Sequence, residues 1–234
     1  MLQKTKYSPS IPLSKTLAVL IGFPIIATLI SLLLLNRSLI TNLGLDFFNT
    51  FWIIITGWYL LQIYIVSKIL HSSGWEWADI GFSFSKKETF FFIGGYLLFA
   101  FGLLAFIEIA LANSIVETGK MNQISSLTPK TTIARIIFIV MGLTAGLAEE
   151  IVYRGFAISA LLSNKLNKGV SILAATIPFI FQHGLKSMDQ FWWFLIWGVV
   201  FGILYLWLKK LTVNIIIHWI VILSAMIAIL QVIQ

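Results

Sequence analysis

Residues 16 to 35, TLAVLIGFPIIATLISLLLL, form an unbroken apolar run, and similar runs recur along nearly the whole chain. A bilayer core about 30 Å thick takes roughly 20 apolar residues to cross as a helix. Apolar residues make up 59% of the 234 positions and charged residues only 11%, against roughly 25% charged in a soluble domain. No segment is left over for a soluble domain. The expectation is an all-α, polytopic membrane helix bundle: a short polar leader at 1–15 (MLQKTKYSPSIPLSK), then one integral membrane domain at 16–234, without internal repeats.

Turn signals and charges divide the chain into about seven helices, six to eight being the range: 16–35, 47–70, 89–111, 132–162, 169–185, 190–208 and 211–230. The first run follows three lysines, as a signal peptide would. It exceeds a usual h-region and lacks a small-residue cleavage site, so a retained helix is expected. With the amino terminus inside, ten Lys and Arg fall in inner segments and four in outer ones. Basic residues favour the cytoplasmic side, which puts the amino terminus there. The net charge of +7 then reads as loop charge facing anionic headgroups, not as a nucleic-acid surface. A multi-pass protein of a bacterial plasma membrane is the expected location. The aromatic clusters at 47–52, 88–92 and 190–194 read as an interfacial belt. The pairs Gly142/Gly146 and Gly198/Gly202 read as close helix packing. Cysteine is absent, which excludes disulfides, thiolate catalysis and cysteine-based metal sites.

Against this background AEEIVYRG, residues 148 to 155, sets three ionisable groups within six residues. A charge near the bilayer centre costs at least about 2.5–3.5 kcal/mol, so such groups face a partner or a wet cavity. Glu150 and Arg154 stand four apart with the acid first, the favourable order for a same-face ion pair. Glu108 and Arg135 are candidates for a second structural pair. Glu149 has Ala145 and Tyr153 at four residues either side, so no cation on its own helix neutralises it. The candidates to do so are His183 and His218, each a lone imidazole in an apolar segment. In a hairpin turning near Leu166, Glu149 lies seventeen residues before the turn and His183 seventeen after; both are then level, roughly 20 Å from the tip. His218, eight residues past Lys210, comes out about 12 Å deep by the same rise. A buried carboxylate beside imidazoles is a competent general base for activating water. Glu149, His183 and His218 also match a catalytic zinc set with an open fourth position, although the HExxH signature of such helices is missing. No cofactor is required by the residues; zinc is the alternative.

These residues resemble the CAAX protease and bacteriocin-processing (CPBP, or Abi) family of intramembrane proteases. Its EExxxR motif is matched by Glu149, Glu150 and Arg154, and its FxxxH motif by Phe179 and His183. The third motif, a His followed four residues later by Asn or Asp, is matched by His218, but position 222 is Ile222. The resemblance covers about residues 130–230. It implies an endopeptidase acting inside the bilayer on a membrane-associated or peptide substrate. Glu149 and His183 would activate the attacking water and His218 would stabilise the oxyanion. Glu150 and Arg154 would brace the first motif, and Phe179 would shape the cavity wall. Ile222 removes a donor, and Asn214, four residues before His218, is a candidate to replace it. The alternative is a non-proteolytic membrane scaffold or bacteriocin-immunity protein that binds a partner. A proton-relaying transporter would also carry isolated intramembrane charges, but paired broken helices are missing.

Overall fold

In the computed structural model the described residues are 10–83 and 131–232, with scattered positions between them (87, 89–90, 93–95, 97–98, 101–102, 104–105, 109 and 129). Among them every regular element is helical, as expected. The main helices are α1 (Leu13–Ser31), α2 (Phe47–Ser72), α3 (Thr132–Ser163), α4 (Lys168–Phe181), α5 (Phe191–Leu208) and α6 (Leu211–Val232). Single helical turns at Leu32–Leu34, Ser38–Thr41, Trp77–Ile80 and Gly184–Ser187 connect them. Helices α1, α2, α3 and α5 are long and apolar enough to cross a bilayer. The expected span at 89–111 is described only at isolated positions, which are helical.

Helix α1 shows how such a chain uses lipid. Pro12 precedes its first residue, where a missing N–H is harmless, and its carbonyl accepts from the N–H groups of Lys15 and Thr16. The helix is apolar on all sides, yet its burial is one-sided. Val19, Leu20, Phe23 and Ala27 are buried while Leu17, Ile21, Ile25 and Leu29 are exposed. Hydrocarbon tolerates that exposure, so helices associate by close packing and not by hiding apolar surface. Helix α5 supplies the packing: a Cβ on Gly198 would collide with Thr176 Cγ2 of α4, and one on Gly202 would come within 2.8 Å of Ile172 Cγ2. Both glycines let the α5 backbone lie directly against α4.

Two compact units divide the chain, and the division falls inside α2, α3 and α6. The first comprises Met1–Arg37, Gly57–Ser83 and Leu147–Ile215. Here α1 packs on α4 and on the Gly184–Ser187 turn, and α4 packs on α5 and on the carboxyl half of α3. Asn164 Nδ2 donates to Ile11 O at 2.8 Å, tying the end of α3 to the start of α1. The Trp77–Ile80 turn is fastened by Tyr205 Oη, which donates to Ile80 O at 3.1 Å, and by Leu211 N, which donates to Gly81 O at 3.0 Å. The second unit comprises Ser38–Thr56, Phe84–Gly146 and Ile216–Gln234. In it Phe48 and Trp52 pack on Phe138, with ring centroids 6.1 and 5.1 Å apart. Trp219 Nε1 donates to Leu143 O at 3.0 Å. Phe51 is buried, so the 47–52 aromatics pack at least partly inward.

Helix α4 ends earlier than the sequence suggests, at Phe181 and not near 185. Its 14 residues span about 21 Å, less than the bilayer core. Gln182 and His183 continue as a tightening turn, their N–H groups bonding Pro178 O at 2.9 Å and Ile180 O at 3.1 Å. Gly184, at φ +68°, then takes the left-handed conformation that stops a helix. His183 therefore stands on a helix terminus, not within a helix. A Cβ at position 184 would also lie 2.5 Å from Ser31 Cβ. Gly184→Ala is expected to cost about 1–2 kcal/mol for the backbone alone, lowering the unfolding midpoint in detergent by roughly 2–8 °C. Tryptophan fluorescence during heating measures this, and an unchanged midpoint would contradict the turn's conformation.

Candidate active site

The EExxxR motif sits where α3 changes its winding. Glu150–Ile158 form a π-helix, and all nine of these residues are buried. Such wide turns are rare and concentrate at functional sites. The pairing read from spacing is present: Arg154 Nη1 lies 3.3 Å from Glu150 Oε1. The alignment falls short of a hydrogen bond, and the guanidinium lies over the Phe179 ring at 4.1 Å and near Phe201 at 5.5 Å. Asn214 Nδ2 donates to Glu150 Oε2 at 3.1 Å and to Phe201 O at 2.8 Å. Asn214 thus braces the motif from α6, and its amide N–H groups are committed to Glu150 and Phe201. The second pair considered from sequence includes Glu108, which lies outside the described residues; Arg135 Nε reaches Pro129 O at 3.5 Å.

Glu149 faces different neighbours. Its Oε1 accepts a hydrogen bond from Tyr59 Oη at 2.6 Å and lies 3.6 Å from His183 Nε2. The hairpin count therefore put these two groups at the right level. His183 Nδ1 lies 3.0 Å from Phe179 O. A carbonyl oxygen only accepts, so Nδ1 carries the proton and Nε2 is the nitrogen turned to Glu149. The imidazole stacks on Phe194, centroids 3.9 Å apart, and meets the edge of Phe179 at 5.0 Å. The side chain of Glu149 is 3% exposed whereas that of His183 is 23% exposed, so the pair is reached from the imidazole side. At 3.6 Å the two groups are too far apart for a good direct hydrogen bond and close enough to hold one water between or beside them.

Two further polar side chains of this unit hold open hydrogen-bonding capacity. Tyr153 Oη donates to Gln182 Oε1 at 3.0 Å, which fixes that amide and leaves Gln182 Nε2 without a partner among the described residues. Gln62, 0% exposed on α2, has neither amide atom paired among the described residues. An apolar surrounding makes such groups expensive unless something polar meets them.

His218 belongs to the second unit, where it is buried one position before Trp219. In the same unit Ile222 Cγ2 lies 3.6 Å from a Cβ placed on Gly142, so this residue packs as an apolar knob on the glycine face of α3. Among the described residues no group of three His, Asp or Glu side chains is gathered closely enough to hold a metal ion.

Sequence reasoning missed Tyr59, Tyr153, Gln182 and Phe194. The sequence groups Phe194 with a belt at 190–194; Trp192 and Trp193 are exposed, but Phe194 stacks on His183. The available signal for Tyr59 was Gln62 three residues later, a polar group interrupting an apolar span.

Together these features define a multi-pass helical membrane protein with a buried carboxylate–imidazole pair. Residues 131–223, about two fifths of the chain, match the model of a family described as Rce1-like, type II CAAX prenyl endopeptidase. This is the CPBP group that the motifs resemble, and it is a family of peptidases. The match contains every motif residue from Glu149 to Ile222; Tyr59 and Gln62 lie outside it. No curated protein and no solved structure matches the chain.

Proposed function

We propose that the protein is an intramembrane endopeptidase that hydrolyses a peptide bond in a membrane-presented peptide or protein. The observation that carries this reading is the Glu149–His183 pair, 3.6 Å apart with the carboxylate buried and the imidazole partly open. Glu149 takes a proton from water while the resulting hydroxide attacks the scissile carbonyl carbon. The tetrahedral oxyanion collapses, the C–N bond breaks, and the proton passes from Glu149 to the departing amine nitrogen, regenerating the carboxylate. His183 Nε2 orients the water. His218 is assigned to the oxyanion by the family pattern. The open amide atoms of Gln62 and Gln182 are suited to the backbone of an extended peptide, which offers both donors and acceptors. The family description names CAAX prenyl endopeptidases, so a prenylated carboxyl-terminal peptide is the first substrate class to try, in a cell membrane with the amino terminus cytoplasmic.

One observation favours a second reading. Ile222 packs as an apolar knob where the family has Asn or Asp, as it would in a non-proteolytic scaffold or an immunity protein. Reconstituted protein should separate the two. In liposomes made up in ¹⁸O-water, prenylated and unprenylated membrane-anchored peptides should yield fragments whose new carboxyl group carries one ¹⁸O. Intact peptide after incubation with stoichiometric protein would reject the protease and leave the scaffold.

A further inference from the structure

We infer that Tyr59 is the positioning residue for the Glu149 base, so that the site is completed by a helix outside the family-matched region. This rests on the proteolytic reading of Glu149 and adds a residue to it. The Tyr59 phenol donates to Glu149 Oε1 at 2.6 Å across ninety positions of sequence. That length is typical of a charge-assisted O–H···O⁻ bond, roughly twice as strong as a neutral one. Its donor is held by packing. Next to it, Trp58 meets Phe23 of α1 edge-on at 5.4 Å, and Val66 and Leu70 further along α2 are buried. Tyr59 itself is buried, so water does not compete for the bond.

The geometry gives the phenol a specific task. Glutamate has three rotatable side-chain bonds, and the carboxylate that must accept the water's proton has to stay beside His183. Tyr59 and His183 address the same oxygen, Oε1, from two different elements. The phenol thereby holds the carboxylate plane while the imidazole orients the water. A shift of even 1 Å in such a group lowers rates by orders of magnitude. Tyr153, one turn from Glu149, is engaged elsewhere through its bond to Gln182 and does not duplicate this contact.

Tyr59→Phe keeps the ring and deletes the donor. Its kcat in liposomes should fall about 10–100-fold, the usual scale for losing an orienting partner, with KM within about twofold because substrate contacts persist. An unchanged kcat, or a change in KM alone, would overturn the assignment. A cycle adds the readout that a packing role would not move. In a Glu149→Asp background, where the shortened carboxylate no longer reaches the phenol, Tyr59→Phe should lower residual kcat by less than about twofold. A repeated 10–100-fold loss there would mean that Tyr59 acts by another route. Should Tyr59→Phe fail to accumulate as folded protein, 3-fluorotyrosine at position 59 keeps ring and contact while strengthening the donor; an identical kcat would then overturn the proposal. Cleavage that survives Glu149→Gln would reject the catalytic role of Glu149 on which this inference rests, and uncleaved peptide with the parent protein would reject the protease reading, whereas Glu149-dependent cleavage indifferent to Tyr59 would reject only this inference.

Discussion

Glu149→Gln should abolish most cleavage while leaving the fold intact, with kcat lower by about 10²–10⁴-fold, the contribution of a positioned general base. The substitution keeps length and volume, and the amide oxygen can still accept from Tyr59, so the 2.6 Å contact survives in neutral form. What disappears is the capacity to take a proton. Stability should hold or rise, because the variant buries an amide where the parent buries a charge. The measurement is initial rate per mole of folded protein in liposomes, alongside unfolding in detergent. Loss of rate together with loss of fold would point to a bracing role for Glu149 instead. A wild-type rate would place the base elsewhere and leave the 3.6 Å pair without a catalytic meaning.

Local and distant relations differed in how far they could be read from residues alone. Glu150 and Arg154 were legible because an i,i+4 pair is a property of one helix, and even the π-helical winding keeps them 3.3 Å apart. Glu149 and His183 were legible by symmetry, since equal counts on either arm of a hairpin give equal depth. The winding itself was not, because nothing in EIVYRGFAI marks an i→i+5 ladder. The early end of α4 had signals in Pro178 and Gly184, yet the apolar residues between them read equally well as continuing helix. Tyr59 was hidden for a deeper reason. In water an amphipathic pattern tells which face of a helix looks inward. Helix α2 is apolar all round, with Tyr64 exposed and Tyr59 buried on the same helix, so no pattern distinguished the tyrosine that meets Glu149 from the one that meets lipid.

Arg154→Ala should be the most destabilising single change in the first unit, at about 3–5 kcal/mol, because it strands a buried carboxylate. Arg154 is 1% exposed and Glu150 0%. Removing the guanidinium leaves Asn214 Nδ2, at 3.1 Å, as a neutral donor to a charge, and opens a cavity under the Phe179 and Phe201 rings. The double variant Glu150→Gln, Arg154→Met supplies the contrast. Neutralising both partners with residues of similar volume is often harmless or stabilising, so it should recover most of the lost stability. Equal destabilisation by single and double variants would show that volume, not charge, makes Arg154 indispensable. The two variants should also part in activity. Phe179, whose ring carries Arg154 and whose carbonyl holds His183 Nδ1 at 3.0 Å, transmits the brace to the imidazole. The double variant should therefore fold yet cleave more slowly than its stability alone would predict, since a Met side chain fills the space but supplies no guanidinium to lie against the Phe179 ring.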